Sequence, residues 1–274
     1  MNVPFPLVDG PSAPALLEER GAGVAVLTLN RPEQRNTLSE AMLAGFSECL
    51  AAIARDATVR AVVIAANGSA FCAGHDLKEL TAHRADADGG QGYFREIMAR
   101  CSAMMQALVG LPQPTIAAIQ GTATAAGCQL VATCDLAIAS TTARFCTPGV
   151  DIGLFCSTPM VALSRNVACK HAMEMLLTGE MVSAERAERI GLINHVVPPG
   201  TERDEAIALA GKIGAKSAFT VKTGKQAFYR QRELRLDEAY AYASQVMVEN
   251  MMARDGAEGI GAFIEKRTPH WEDR

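Results

Sequence analysis

The amino-acid sequence predicts an α/β domain followed by a region made of helices alone. Short runs rich in β-branched residues alternate with segments of helical periodicity up to about residue 140, which indicates parallel strand pairing. From Asp204 onward, apolar residues recur at helical spacing. We therefore assign residues 1–203 to a core and residues 204–274 to a helical region. Such a helical region cannot bury its apolar faces alone, so it must fold back on the core or pack against another subunit.

The individual elements follow from local signals along the chain. Residues 1–21 are rich in proline and are predicted as an irregular lead-in. Ser39 can cap a helix whose apolar positions continue as far as Ile53. The predicted strands are residues 24–29, 60–65, 115–119 and 135–139. The other predicted helices are residues 93–109, 126–133, 204–215, 218–231, 235–253 and 257–266. Between them we expect a small-residue loop at 71–76, a polar mobile segment at 80–92 and a tight turn at 121–125.

Composition excludes several classes of partner. The 274 residues carry a net charge of −4 without a basic patch, so nucleic acid is not an expected partner. No uncharged apolar run reaches about 18 residues, so no membrane is expected either. Residues 1–17 match neither a secretory signal nor an Arg-rich transit peptide. We therefore expect a cytoplasmic protein.

The cysteines and the familiar motifs narrow the chemistry further. The eight cysteines form no C-x-x-C pair, and several lie in apolar runs, which predicts free thiols rather than disulfides or a metal site. The sequence contains no G-x-x-x-x-G-K-[ST], no G-x-G-x-x-G after the first strand, no H-E-x-x-H and no G-x-S-x-G. These absences disfavour nucleotide hydrolysis, dinucleotide redox chemistry, zinc proteolysis and α/β-hydrolase chemistry.

Two segments share one form: a strand ends, small residues follow and a helix begins. They are residues 71–78 (FCAGHDLK) and 121–130 (GTATAAGCQL). Small residues let a ligand approach the backbone, and a helix start offers unpaired N–H groups. Two such starts side by side would suit a carbonyl oxygen that gains negative charge. The alternative is that the small residues only allow tight packing between layers.

These two segments, in their order along the chain, resemble the enoyl-CoA hydratase/isomerase (crotonase) family. The resemblance runs from about Gly23 to Arg267, and residues 148–159 (PGVDIGLFCSTP) are similar to the divergent enoyl-CoA hydratase domain-containing branch. The other matching segments are residues 24–36 (VAVLTLNRPEQRN), 145–153 (FCTPGVDIG), 173–180 (MEMLLTGE), 187 with 191–192, and 262–267 (AFIEKR).

The resemblance implies a fold, an assembly and a substrate class. The family folds as a spiral of β-β-α turns, and its C-terminal helices build trimers that often stack into hexamers. We therefore expect a homotrimer or hexamer that handles an acyl-CoA thioester, with coenzyme A as part of the substrate and no other cofactor. An active member would belong to the lyase or isomerase class and to fatty acid metabolism.

The resemblance also assigns site residues. The family grips the thioester carbonyl with two backbone N–H groups, which fall here at His75 and Ala126, provided that φ at Ala126 is negative. The positions that match coenzyme A contacts are Arg35, Asn36, Thr37, His75, Asp76, Leu77, Lys78, Ala126, Phe263 and Lys266. Three of these have alternatives, because Lys78 and Lys266 can be solvated surface charges and Asp76 can simply cap a helix.

The two carboxylates that family hydratases use for acid–base chemistry are missing. Gln129 and Gly149 stand at their positions. An amide orients water but takes no proton near neutral pH, and glycine has no side chain. Asp151 would face the same side as Gly149 if this segment is extended, although a local turn role is the simpler interpretation.

Other side chains near these positions are weaker candidates. Cys128 and Cys156 would be nucleophiles only with a lowered pKa, and the His75 ring is expected to face coenzyme A or solvent. Three hypotheses remain: an enzyme with weak or altered activity, a non-catalytic acyl-CoA-binding or regulatory protein, and an assembly protein with a vestigial pocket.

Overall fold

The computed structural model of the protein describes residues 13–274. The strands in this range are β1 (Leu16–Gly21), β2 (Val24–Leu29), β3 (Ala61–Ala66), β4 (Ala70–Cys72), β5 (Thr115–Ile119), β6 (Thr122–Thr124), β7 (Leu136–Ser140), β8 (Arg144–Cys146), β9 (Val182–Ser183) and β10 (His195–Val197). The α-helices are α1 (Glu40–Ile53), α2 (Leu77–Ala82), α3 (Gln91–Gly110), α4 (Ala126–Thr133), α5 (Ser157–Asn166), α6 (Cys169–Thr178), α7 (Ala184–Arg189), α8 (Glu202–Gly214), α9 (Ala218–Gln231), α10 (Leu236–Met252) and α11 (Arg254–Glu265).

A large sheet forms the centre of the core, with strand order β1-β2-β3-β5-β7-β10. From β2 to β10 all neighbours are parallel, as predicted, whereas β1 pairs antiparallel with β2. β2 and β5 are buried along their whole length, because both faces of the sheet are covered. One face packs on the main core that includes α1, α3 and α4, and the other packs on α8.

A second, smaller sheet has the strand order β4-β6-β8-β9. Each of its first three strands follows a strand of the large sheet directly, so β3-β4, β5-β6 and β7-β8 are successive pairs. Helices follow each pair and carry the chain to the next one. The chain therefore advances as a spiral of strand–strand–helix turns, which confirms the predicted fold class.

The structure corrects the sequence prediction in two places. The lead-in contains β1 from Leu16 onward, an edge strand whose last four residues are exposed and which therefore shows no alternation. The predicted tight turn at 121–125 is mostly β6, one of several three-residue strands too short to show a periodicity. The segment at 80–92, predicted to be polar and mobile, contains the end of α2, a 3₁₀ turn at His83–Ala85 and the start of α3, while its mobility stays a prediction. The part of the lead-in before residue 13 lies outside the described residues.

Helix α9 is tied to the core of its own chain by a buried lysine. The Lys225 ammonium, with a side chain only 6% exposed, forms an ion pair with Asp135 at 2.8 Å. It also donates to the carbonyl oxygens of Leu108 and Gln113. The Tyr229 hydroxyl, one turn further along α9, donates to Asp135 at 2.8 Å. The first half of the helical region thus folds back on the core.

The second half of the helical region leaves apolar side chains uncovered. The large exposed ones on α10 and α11 are Leu236, Tyr240, Met247, Val248, Met251, Met252, Ile260, Phe263 and Ile264. An apolar surface of this extent is typical of an interaction surface. None of the helices in the described range combines the length and the apolar content that a bilayer crossing needs.

Candidate functional site

The two loops singled out in the sequence lie side by side at the ends of β4 and β6. The Thr124 hydroxyl donates to the Ala73 carbonyl at 3.0 Å, which joins one loop to the other. A Cβ placed on Gly74 would lie 3.0 Å from the Ala125 Cβ and 3.3 Å from the Ala126 nitrogen. Glycine is required at position 74 for two reasons: a side chain would crowd the other loop, and φ is +92°. The residue after Gly74 is His75, so the two predicted N–H donors are brought into one place.

The N–H groups of His75 and Ala126 are both unused by the protein. Ala126 is the first residue of α4, so its N–H has no partner within the helix. His75 follows Gly74, whose own carbonyl accepts from the Leu38 N–H at 2.7 Å. Within residues 13–274, neither His75 nor Ala126 donates a backbone hydrogen bond. Two free donors therefore stand next to each other, one of them at the positive end of a helix dipole.

The backbone strain of this site falls on Ala125 rather than on Ala126. Ala125 has φ 49° and ψ −118°, a combination normally reserved for glycine. Ala126 itself is helical, so the condition of a negative φ is met at the predicted donor. Because Ala125 carries a methyl group, the surrounding packing must hold the turn in this conformation.

The two ring nitrogens of His75 are buried and have no partner among the described residues, although the residue as a whole is half-buried. Both ring nitrogens are inaccessible to solvent and form no hydrogen bond with residues 13–274. Burial lowers the pKa of His75 below its usual value of 6.5, while the Leu38 backbone, which lies beside the ring without bonding to it, opposes the shift. The imidazole is therefore neutral at pH 7. The expectation that the ring faces coenzyme A or solvent stays a prediction.

Gln129 lies on the same face of α4 as Ala126, one turn further along. Its side chain is almost fully buried, and its Oε1 has no hydrogen-bond partner among the described residues. Gln129 also lines a cavity of about 500 Å³ between α3, α4, α5 and α9. A buried acceptor without a partner is unusual in a folded protein and indicates a place where a ligand or a water can bind.

The space beside Gly149 is filled by the chain itself. Gly149 lies in a 3₁₀ turn (Pro148–Ile152), and a Cβ placed on it would lie 2.7 Å from the Leu154 carbonyl oxygen. The same Cβ would lie 3.0 Å from the Cys156 sulfur. The first separation is shorter than real Cβ contacts, and the second is tighter than most of them. A glutamate at this position is absent from the sequence, and one placed there would require the chain at Leu154 and Cys156 to shift.

Asp151 does not stand where an extended segment would place it. The prediction that it shares a side with Gly149 assumed an extended segment, whereas the segment is a 3₁₀ turn, in which residues two apart point in different directions. Asp151 is exposed, and its carboxylate lies beside Gly179. A Cβ built on Gly179 would be 3.1 Å from the Asp151 Oδ2. The extended geometry on which a site role for Asp151 depended is therefore absent, and a local turn role is the simpler interpretation.

All eight cysteines are free thiols, and six of them are buried. Burial raises the pKa of Cys128 and of Cys156, so neither thiol is poised to ionise. Burial likewise raises the pKa of Cys72 to about 12. These groups are not activated nucleophiles. Within residues 13–274, no group of three or more His, Cys, Asp or Glu side chains is arranged to hold a metal ion.

The loop at residues 35–37 runs beside the His75 loop, but the side chain of Asn36 makes its hydrogen bonds within the protein. The Arg35 carbonyl accepts from the Ala73 N–H at 3.0 Å, and the Thr37 hydroxyl donates to Asp76 at 3.2 Å. Asn36 is fully buried. Its amide donates to the carbonyls of residues 67 and 70, and its Oδ1 accepts from the N–H of residue 31. The Asn36 side chain is therefore a structural group, which corrects its assignment to ligand binding.

The remaining predicted contacts fall into two places. The Asp76 carboxylate caps α2 by accepting from two N–H groups, and Leu77 and Lys78 are exposed beside it. Phe263 is 86% exposed on α11, with Lys266 at the end of that helix. No hydrogen bond or ion pair within residues 13–274 joins Phe263 or Lys266 to the His75 loop. The described chain thus assembles the loop residues and does not bring the two C-terminal residues to them.

The strand–strand–helix spiral with a helical region behind it is the crotonase fold. The profile of the enoyl-CoA hydratase/isomerase family matches residues 19–274, and the chain belongs to this family.

Among its relatives, enoyl-CoA hydratase domain-containing protein 3, mitochondrial, from Xenopus laevis is 45% identical over 94% of this chain and 86% of that protein. The crystal structure of an enoyl-CoA hydratase from Mycobacterium smegmatis superposes with a TM-score of 0.90 at 53% identity, covering 94% of this chain and 99% of the other. The crystal structure of human enoyl-CoA hydratase domain-containing protein 3 gives a TM-score of 0.89 at 44% identity, covering 94% of this chain and 100% of the other. The predicted likeness to the enoyl-CoA hydratase domain-containing branch is confirmed.

The comparison overturns the predicted location. Five vertebrate relatives, 42–47% identical to this chain, are all named mitochondrial. The prediction of a cytoplasmic protein is therefore wrong. The prediction failed because the composition of a folded domain does not differ between the two compartments, whereas localisation is specified by separate targeting segments.

Proposed function

We propose that this protein binds acyl-CoA thioesters and polarises the thioester carbonyl with the N–H groups of His75 and Ala126. The observation that carries the proposal is that these two N–H groups are free and lie on adjoining loops. The N-terminus of α4 adds a positive dipole end at the point where the oxygen would gain charge. Arg35, Thr37 and Lys78 lie on the loops beside His75 and would contact the nucleotide part of coenzyme A.

The chemistry done on the thioester is proposed to be weak or altered relative to hydration by two carboxylates. Gln129 can hold a water through its amide but cannot accept its proton near neutral pH. The position of the second carboxylate is occupied by the loop at residues 153–156. General acid–base groups contribute about 10²–10⁴ in rate each. Their joint loss would raise the barrier by several kcal/mol, at about 1.36 kcal/mol per decade.

Non-catalytic acyl-CoA binding is the second candidate function. It is favoured by the crowding around Gly149, because a pocket kept for catalysis would need room on that side of the substrate. A sensing or buffering protein needs only the carbonyl grip and the coenzyme A contacts. Both candidates share the same bound complex and differ in turnover alone.

Assembly into a trimer or a hexamer is proposed from the exposed apolar side chains of α10 and α11. A neighbouring subunit that packs on these helices would cover Phe263. It would also place the α11 end, with Lys266, within reach of a coenzyme A bound to the next chain. Sedimentation equilibrium of the full chain tests the assembly directly, and a monomer would contradict it.

Two measurements on one sample test the proposed function. Loss of crotonyl-CoA absorbance reports hydration, and calorimetry with acetoacetyl-CoA reports binding. Binding with little or no turnover is expected. Hydration at ordinary family rates would contradict the argument about the missing carboxylates, and failure to bind either coenzyme A ester would overturn both candidate functions.

The Gly74→Ala variant links that binding to the two N–H groups. The added Cβ would lie between the loops, 3.3 Å from the Ala126 nitrogen, and would disturb both donors. Acetoacetyl-CoA binding should be lost in a protein that still folds. Gly211→Ala is the matched control, since a Cβ there meets nothing within 4 Å, and it should bind like the parent.

A further inference from the structure

The cavity that adjoins Gln129 is built from four separate segments of the chain. α3 and α4 supply apolar and small residues along most of its length, including Met105 and Ala132. α5 and the C-terminal end of α9 line its far end with Arg165, Arg232 and Glu233, which are all exposed to solvent. With a volume of about 500 Å³, it has the size of a small-molecule site rather than a packing defect.

The cavity adjoins the proposed thioester site through Gln129, which lines the cavity and lies one turn along α4 from Ala126. Ala126, Gln129 and Thr133 are spaced three and four residues apart, so they share a face of the helix. The unpartnered Oε1 of Gln129 lies on this face, where the cavity begins. From Ala126 to Thr133 the helix advances by about 10 Å, at roughly 1.5 Å per residue. An acyl chain whose carbonyl is held at Ala126 can run along this face to the far end.

The far end carries an excess of positive charge. Arg165 and Arg232 line this end together with a single carboxylate, Glu233, whose Oε1 lies 3.5 Å from the Arg165 Nε. Arg165 also donates to the Val161 carbonyl, and Arg232 donates to the Arg165 carbonyl and stacks over Phe228. A guanidinium has five N–H donors, so these contacts leave most of the donors of both groups free. Free guanidinium donors match the two oxygens of a carboxylate.

We infer that this cavity selects acyl-CoA thioesters whose acyl chain ends in a carboxylate. The inference rests on the proposed function, because it takes the thioester carbonyl to lie at His75 and Ala126. Each C–C bond is about 1.5 Å long but advances a zigzag chain by less than its length. A chain of roughly eight carbons therefore spans the ~10 Å from Ala126 to Thr133. The apolar walls take the methylene groups, and Arg165 and Arg232 take the terminal carboxylate.

Calorimetry with two thioesters of equal length tests the inference. The coenzyme A monothioester of octanedioic acid should bind about tenfold more tightly than octanoyl-CoA, since the gain comes from ion pairs that are partly exposed to solvent. The Arg165→Gln, Arg232→Gln double variant should lose this preference. Arg230→Gln is the matched control, because Arg230 is exposed on α9 and does not line the cavity, and it should keep the preference.

The outcomes separate this inference from the proposed function. Acetoacetyl-CoA is too short to reach the arginines, so the double variant should bind it like the parent, which also shows that the variant folds. Equal or tighter binding of octanoyl-CoA, an unchanged preference in the double variant, or failure of both eight-carbon thioesters to bind would each overturn the inference while acetoacetyl-CoA still binds. Loss of acetoacetyl-CoA binding by the parent protein would instead overturn the proposed function.

Discussion

Adding a single methyl group at Gly149 should destabilise the protein, because the chain already occupies the space that a side chain would need. The Cβ of a Gly149→Ala variant would lie 2.7 Å from the Leu154 carbonyl oxygen, 3.0 Å from the Cys156 sulfur and 3.3 Å from the Cys156 nitrogen. Two of these neighbours are backbone atoms, which can move only if residues 153–156 shift. Overpacking of this kind costs about 1–3 kcal/mol. For a chain of this size each kcal/mol lowers Tm by about 2–4 °C, so a decrease of about 2–12 °C is expected.

Urea denaturation followed by circular dichroism measures the loss. Gly211→Ala, at an exposed position in the last turn of α8, is the control, because a Cβ there meets nothing within 4 Å. That substitution should stabilise the protein by about 0.5–1 kcal/mol, which is the ordinary advantage of alanine over glycine in a helix. Opposite signs for the two alanine variants are therefore expected. A Gly149→Ala variant as stable as the parent would refute the conclusion that this space is filled.

The same crowding predicts what happens when the family carboxylates are restored. Gln129→Glu with Gly149→Glu should not hydrate crotonyl-CoA at ordinary family rates, because the second side chain cannot enter the site without displacing Leu154. Gln129→Glu alone adds a carboxylate without a larger side chain and serves as the comparison. Ordinary family rates in the double variant, with an unchanged Tm, would contradict the prediction and would show that residues 153–156 move aside at little cost.

Three further predictions concern the packing around the site. Lys225→Met should cost about 3 kcal/mol of unfolding free energy, because it leaves the Asp135 carboxylate without its buried cation; a double-mutant cycle with Asp135→Asn should recover part of the loss, and strict additivity would mean that the pair is uncoupled. Ala125→Gly should stabilise the protein by about 1 kcal/mol, because glycine tolerates φ 49° and ψ −118°; an unchanged or lower urea midpoint would mean that the turn is unstrained. His75→Gln should flatten the pH dependence of stability. Burial holds the pKa of His75 below 6.5, so the folded state binds a proton less readily than the unfolded chain. Stability is therefore fully present above pH 6.5 and falls as the pH drops below it, and equal losses in parent and variant between pH 7.5 and 5.5 would exclude this contribution.

Local chemistry made several features readable from the sequence. Ser39 caps α1 with its hydroxyl, as its residue type and the following apolar periodicity indicated. α4 occupies residues 126–133 as predicted, and β2 and β5 have the predicted bounds. The two small-residue loops were visible because close backbone approach requires small side chains. The replacement of two carboxylates by Gln129 and Gly149 is likewise a property of the sequence alone.

Long-range packing decided the rest. β1 and the short strands of the second sheet exist because neighbouring strands pair with them, which no local period reveals. Asn36 is a structural residue, and a local turn role is the simpler interpretation of Asp151, because of where distant segments at 67–70 and 179 pass beside them. The cavity joins residues from α3, α4, α5 and α9 that together span more than a hundred positions, from Met105 to Glu233, so no sequence motif could predict it. The sequence determined which groups are available for chemistry. The tertiary structure decided which of them share a space and which spaces the chain itself has filled, because packing excludes atoms regardless of their separation along the chain.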